Sequence, residues 1–369
     1  MKRLAILGTR GVPAAHGGFE TFAEKLSLYL VEKGWELTVY CQEEGKGPIF
    51  EDTWEGVRRV RIPVSRGGAA GTVIFDWKAT WHAAGRHSLT LTLGYNTALF
   101  CALLRLRGVT NLINMDGIEW RRDKWSALER AWLYLNERAG CLLGNHLIAD
   151  HPEIEKHLQT RVSSRKITMI PYGAEEIGAA DGMLLGEPGL EPDGFVLVVA
   201  RPEPENSILE IVRAFSRKER GMKLVVLGNL SPGENAYHRA LLEAAGDEVM
   251  FPGAIYEKNM LAALRFHAWL YVHGHTVGGT NPSLVEALGA GSAVLAHDNV
   301  YNRWVAGDGA AYFSDEQDCA ERFDQLLKTS DRISEMRAWS RRRFQESFRW
   351  DRILSSYEQV LDDMAAGRG

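Results

Sequence analysis

A chain of 369 residues is long for one hydrophobic core, so two domains of ordinary size are expected. Its composition is globular, 45% hydrophobic and 25% charged, and a formal net charge of -5 with a pI near 6.2 argues against a nucleic-acid protein with a strongly basic face, leaving only local basic patches open. Four well-separated cysteines, Cys41, Cys101, Cys141 and Cys319, lack zinc spacing and read as reduced thiols of a cytosolic protein.

The start, MKRLAILGTRG, has too short an apolar run for a signal peptide, and Thr97 to Leu104 is far too short to span a bilayer, so a soluble or peripheral protein is expected. Short apolar runs then alternate with helical patterns. Strands are predicted at 3–7, 36–41, 58–63, 89–93, 111–115, 146–150 and 166–171. Between them Phe19, Phe22, Ala23, Leu26 and Leu30 form one helical stripe ending at Gly34, and Trp125, Leu128, Trp132 and Leu135 form another. Residues 172–194, rich in Gly, Glu and Pro, read as an interdomain connection. The pattern restarts with strands at 195–200, 223–228, 248–253, 268–273, 293–297 and 311–314, and from about Glu316 the tail is helical. The fold class is α/β, two Rossmann-like doubly wound parallel-sheet domains; without a short internal repeat, solenoids and propellers are excluded.

In such sheets ligands bind beyond the C-terminal strand ends, which directs attention to four loops. The first, LGTRGVPAAHGGFET (7–21), has Gly8, Gly11, Gly17 and Gly18 and reads as flexible and open to backbone approach; a dinucleotide fingerprint is not matched. The second, NMDGIEWRRDKW (114–125), brings Asp116, Glu119, Trp120 and Arg122 together at a strand end, a composition suited to gripping a sugar, the alternative being a capped, solvated helix start. In the third, ARPEPENS (200–207), Arg201 either reaches a phosphate or pairs with Glu203 or Glu205.

The fourth spans His273 to Asp298. Asn281 suits a helix N-cap, Pro282 the first helical position and Gly291 the end, while Gly278 and Gly279 let a ligand approach the backbone, so the helix start reads as a phosphate seat. Glu286, set among Leu284, Val285, Ala287 and Leu288, reads as a buried carboxylate that sugar hydroxyls would satisfy; the alternative is an ordinary turn and a solvated Glu. No D-x-D pair or G-x-S-x-G occurs, so a phosphate ligand would be neutralised by helix dipoles, loop N–H groups and Arg, with no metal site.

Taken together, GTRGVPAAHGGFET, NMDGIEWRRDKW, ARPEPENS and HGHTVGGTNPSLVEALGAG resemble the GT-B glycosyltransferases of family 4, most closely their bacterial rhamnosyltransferases of polysaccharide assembly. The resemblance covers essentially the whole chain. It implies two domains facing across a cleft: 1–175 binding an acceptor, 176–345 binding a nucleotide sugar, and 346–369 returning a helix to the first domain. It also implies a retaining transferase that takes a nucleotide sugar, dTDP-L-rhamnose, as substrate and needs no cofactor. Glu286 would bind the ribose, and Gly279, Thr280 and Asn281 the diphosphate, with Arg201 and Gly18. Asp116 would touch the transferred sugar, and Glu119, Trp120 and Arg122 the acceptor.

Two positions depart from the family pattern. Gly278 stands where relatives carry a glutamate, leaving His275 or Asp116 to make its contact; Asn206 stands where many carry a phosphate-binding lysine. The implied acceptor is a glycan or a sugar linked through diphosphate to a polyprenyl lipid, which places the protein in the cytoplasm or at the inner face of the cell membrane. A membrane-facing surface would come from 64–87, with Trp77, Trp81, Arg66, Lys78, Arg86 and His87, although Ile74, Trp77 and Trp81 also make an ordinary core stripe. A sugar-nucleotide 2-epimerase and a non-catalytic nucleotide-sugar-binding protein are the competing readings.

Overall fold

The computed structural model describes residues 2–15, 17–186 and 189–367. It divides into two compact units, Met1–Pro171 with Trp350–Gly369, and Tyr172–Arg349.

The first unit runs β1 (Arg3–Leu7), α1 (Gly18–Glu32), β2 (Glu36–Glu44), β3 (Phe50–Trp54), β4 (Val57–Val64), α2 (Gly68–Ala84), β5 (Leu89–Leu93), α3 (Cys101–Leu106), β6 (Thr110–Asn114), α4 (Ala127–Leu143), β7 (His146–Ala149), α5 (Pro152–Gln159) and β8 (Ile167–Met169). Its sheet has the order β3-β4-β2-β1-β5-β6-β7-β8, parallel except for β3. The sequence pattern misses β3, an edge strand holding Glu51 and Asp52, residue types that seldom form strands. Tertiary pairing explains it. Glu55 and Gly56, both at positive φ, close a two-residue hairpin, and Arg59 of β4 grips both carboxylate oxygens of Asp52 at 2.6 and 2.7 Å.

The second unit contains β9 (Phe195–Val199), α6 (Ile208–Ser216), β10 (Lys223–Leu227), α7 (Ala236–Ala244), β11 (Val249–Gly253), α8 (Lys258–His267), β12 (Leu270–His273), α9 (Pro282–Gly289), β13 (Val294–His297), α10 (Val300–Ala306), β14 (Ala311–Phe313), α11 (Glu316–Leu326) and α12 (Ser330–Ser347). The sheet is wholly parallel, in the order β11-β10-β9-β12-β13-β14. Strands buried on both faces need apolar residues at every position, and β9 supplies them: Leu197 joins one core with Tyr271 and Leu284, while Val196 and Val198 join the other with Phe215 and Phe323. The chain then returns to the first unit as α13 (Trp350–Ala365), whose Tyr357 lies 4.6 Å from Phe22 of α1, ring to ring, and accepts a hydrogen bond from Asn114 at 2.8 Å.

One core expectation fails in the first unit: Trp77 and Trp81 of α2 face solvent. The α4 stripe Leu128, Trp132 and Leu135 faces solvent as well. Periodicity shows that apolar residues share a helix face; it does not show which way the face points. All four cysteines are free and buried.

Candidate active site

In the second unit the chain winds outward from β9 through β10 to β11 and then crosses back to β12 on the other side of β9, so the crevice for a ligand opens at the C-terminal ends of β9 and β12. The two loops that start there are stitched together. Thr276 donates to the Glu205 carbonyl through both its N–H and its hydroxyl, each at 3.0 Å, and a Cβ at Gly274 would stand 2.2 Å from the Asn206 carbonyl oxygen. Only glycine permits that approach.

α9 begins as its sequence dictates. The Asn281 side chain accepts the Ser283 N–H at 3.0 Å, Pro282 occupies the first turn, and that turn holds no acid. Thr280 is buried, with Gly279 and Asn281 half-buried on either side. Gly278 has φ +136, and a Cβ there would meet nothing within 4 Å, so backbone conformation rather than crowding requires the glycine. Ser283 fixes the turn to the sheet, donating to the Val199 carbonyl at 3.2 Å with Tyr271 Oη at 2.9 Å.

Glu286 departs from the sequence reading. It is half-exposed, and one carboxylate oxygen is already paired with the buried guanidinium of Arg265 on α8, a partner no sequence spacing marks. The ion pair fixes the carboxylate one turn inside the helix. Arg201 has a side chain 70% exposed and only a 3.7 Å contact with Glu203. Asn206, the residue in the lysine position, is buried and donates to the Arg201 carbonyl at 2.7 Å, so it braces the loop instead of reaching a phosphate.

His273 and His275 alternate from the end of β12 and stack with ring centres 4.2 Å apart and planes 5° from parallel. Burial drives the His273 imidazole well below its usual pKa, so this ring is neutral at physiological pH. The His275 backbone is clamped by Asn299 and Asn302, which donate to its carbonyl at 3.0 and 2.9 Å; sequence reasoning missed both. A pocket of about 420 Å³ beside edge strand β14 is lined by three cations, Arg303, Arg322 and Arg332, paired with Asp298, Asp318 and Glu335.

In the first unit the same topological switch lies between β1 and β5. The loop after β1 is pinned, contrary to the flexible reading. Gly8 packs where a Cβ would stand 2.2 Å from the Leu93 carbonyl oxygen, Ala14 N–H donates to Glu24 at 2.6 Å, Arg10 N–H to Glu20 at 3.3 Å, and Arg59 to the Val12 carbonyl at 3.1 Å. Gly18 is the first residue of α1; His16 lies outside the described residues.

The loop after β6 gathers Asp116, Glu119 and Arg122. Asp116 sits at φ +49, held by its N–H on the Asn114 side chain at 2.9 Å, a strained turn of the kind found at functional sites. Burial raises its carboxyl above the usual range, with Arg122 drawing it partly back; burial and then the Asp116 charge raise Glu119, which contacts Arg122 at 3.1 Å. Trp120 points elsewhere. Its indole N–H donates to buried Glu137 at 2.6 Å, and Glu137, against the cost of burial, is held below its usual range by His157 and Trp120. The indole therefore anchors the loop. Among the described residues no group of three or more His, Cys, Asp or Glu is placed to hold a metal ion.

Residues 187–343 match the family "Glycosyl transferases group 1", and residues 1–175 match "Domain of unknown function (DUF1972)". No curated protein sequence matches the chain. Among solved structures, sucrose-phosphate synthase from Thermosynechococcus elongatus superposes with a TM-score of 0.82 at 17% identity, covering 100% of both chains. The alpha,alpha-trehalose 6-phosphate synthase of Burkholderia multivorans gives 0.77 at 12%, covering 99% of this chain and 97% of that one. Anabaena HepE in complex with UDP and glucose gives 0.75 at 13%, covering 98% and 100%. At these identities the likeness establishes the fold. Most of the second unit thus matches the glycosyl transferases group 1 family and the first matches DUF1972, on a GT-B architecture.

Proposed function

We propose that the protein is a retaining glycosyltransferase that moves L-rhamnose from dTDP-L-rhamnose to a glycan or a polyprenyl-diphosphate-linked sugar in cell-surface polysaccharide synthesis. The observation that carries the reading is the start of α9: a neutral Asn281 cap, no acid in the first turn, and Glu286 fixed by Arg265 one turn further on. The dipole of such a helix favours a diphosphate, and a fixed carboxylate accepts hydrogen bonds from ribose hydroxyls. Gly279, Thr280 and Asn281 would face the diphosphate, with exposed Arg201 and Gly18 as further donors. HepE, whose fold this chain shares, was solved with UDP and glucose.

In the reaction the bond from the anomeric carbon to the diphosphate oxygen breaks, and the acceptor oxygen bonds that carbon on the same face. The acceptor proton passes to the departing phosphate oxygen. Negative charge grows on the diphosphate as the bond breaks, so the helix dipole and Arg201 stabilise the transition state more than the ground state. Asp116 and His275 take the contacts to the transferred sugar that the glycine at 278 leaves open, and Glu119 and Arg122 bind the acceptor, with Trp120 fixing their loop. No metal is assigned a role.

Calorimetric titration with a panel of nucleotide sugars, then mass spectrometry of products from dTDP-L-rhamnose and a short-chain lipid-diphosphate sugar, tests the reading. Rhamnosyl transfer is expected, with donor affinity reduced at least about tenfold in Glu286→Ala and in Glu286→Gln, the variant that spares Arg265 an empty partner site. Free or epimerised sugar from the donor alone would establish an epimerase, and binding without turnover a non-catalytic protein.

A further inference from the structure

Three consecutive helices of the first unit carry an apolar surface that its core does not use. α4 buries Leu133, Ala139 and Cys141 together with polar Asn136 and Glu137, yet holds Leu128, Trp132, Leu135 and Leu142 on the solvent side at the spacing of one helical face; Leu128 is 85% exposed and Leu142 75%. The inward polar pair is satisfied, since Asn136 accepts the Leu99 N–H at 3.0 Å and donates to the Trp132 carbonyl at 2.9 Å, while Glu137 is held by Trp120, His157 and Arg161. The outward stripe therefore does not follow from a failed core.

The surface continues across α3 and α2. Leu99, on the turn before α3, is exposed beside Asn136, and the next residue, Phe100, meets Trp77 of α2 edge to face at 5.3 Å. Trp77 lies 5.8 Å from Trp81, which is 57% exposed, and Leu106 at the end of α3 is 83% exposed. Exposed apolar side chains spread over three neighbouring helices, with three tryptophans among them, mark an interaction site.

Charge selects the partner. The chain as a whole carries -5, yet from Arg66 to Arg107 it holds five basic residues, Arg66, Lys78, Arg86, Arg105 and Arg107, and one acid, Asp76. All five bases are exposed, and Asp76 is engaged by the Thr97 hydroxyl at 2.8 Å. Arg66 and Lys78 also line, with Lys46, a pocket of about 190 Å³ that contains no acid.

We propose that this face of α2, α3 and α4 docks on an anionic lipid bilayer. Trp and Leu side chains enter the zone between headgroups and acyl chains, and the flanking cations are drawn to the negative surface. A second copy of the chain fits less well, because a two-fold contact through this face would set the cations of each copy against their equivalents. No helix among the described residues is long and apolar enough to cross a membrane, so the attachment is interfacial. The inference stands apart from the transferase reading, since lipid binding requires neither donor nor acceptor sugar.

Co-sedimentation of the full chain with phosphatidylcholine vesicles, with and without phosphatidylglycerol, tests it directly. Binding is expected on the anionic vesicles, weakened by high salt, and reduced at least about tenfold both by Trp81→Ser with Leu128→Ser and by Arg105→Glu with Arg107→Glu. These substitutions replace exposed side chains, and circular dichroism melting confirms that each variant folds. Failure of the native chain to bind anionic vesicles, equal binding to neutral ones, or a dimer in sedimentation analysis that the same variants dissociate would overturn the proposal.

Discussion

Two glycine-rich loops of this molecule, one after β1 and one after β12, match in composition and both lead into a helix, yet their helices meet them with different charge. α1 carries Glu20 in its first turn, and Glu20 and Glu24 accept the N–H groups of Arg10 and Ala14 from the loop itself. α9 has no first-turn acid and is capped by a neutral Asn281. The positive end of the helix dipole thus meets a carboxylate within the first turn of α1 and none in α9. Glycine content opens a backbone to approach; the sign of the charge in the following turn decides whether an anion can use it.

Substitutions that make one loop resemble the other test this contrast. The largest effect is expected at the glycines themselves. Gly8→Ala adds a Cβ at φ +77 that would stand 2.2 Å from the Leu93 carbonyl oxygen. It should destabilise the protein by about 3 kcal/mol, whereas Gly278→Ala, strained but in open space, should cost only about 1 kcal/mol; thermal melting of the two variants measures the difference. Equal losses would mean that the first loop is no more tightly packed than the second.

A smaller and more specific effect is expected when α9 is given the charge of α1. Asn281→Asp keeps a good cap, so melting should be unchanged, but affinity for a nucleoside diphosphate should fall about tenfold in calorimetric titration. Unchanged affinity would remove the diphosphate from this helix. The smallest effect is expected from the reverse change. Glu20→Gln should cost under about 1 kcal/mol and alter nucleotide affinity by no more than about twofold, because one exposed charge at a helix start is screened. A large loss of affinity would show that the α1 loop matters more than its internal pairing implies.

Much of this architecture was legible in the chain. The inner strands of the second sheet, β9, β10, β12 and β13, lie within apolar runs, because strands covered on both faces need such runs, and the Asn281-Pro282 pair marks the start of α9 through local capping alone. Other features were not legible. The edge strand β3 depends on Arg59 reaching Asp52 from a neighbouring strand. Glu286 and Arg265, 21 residues apart, meet only because α8 and α9 pack on the same side of the sheet. Asn206 could be read as a replaced phosphate ligand until its carboxamide was found on the Arg201 carbonyl.

The sequence by itself determined the periodicities: two doubly wound domains, the loops at their strand ends, and the apolar faces of the helices. Those properties arise from residue spacing and local backbone preference. Only the tertiary structure decided direction and partnership: that α4 turns Leu128 and Leu135 outward and Glu137 inward, that the first glycine loop is closed by Glu20 and Glu24, and that the α9 carboxylate already has a cation. Which side of a helix is buried, and which charge stands opposite another, is set by neighbours distant in the chain, and no local pattern encodes them.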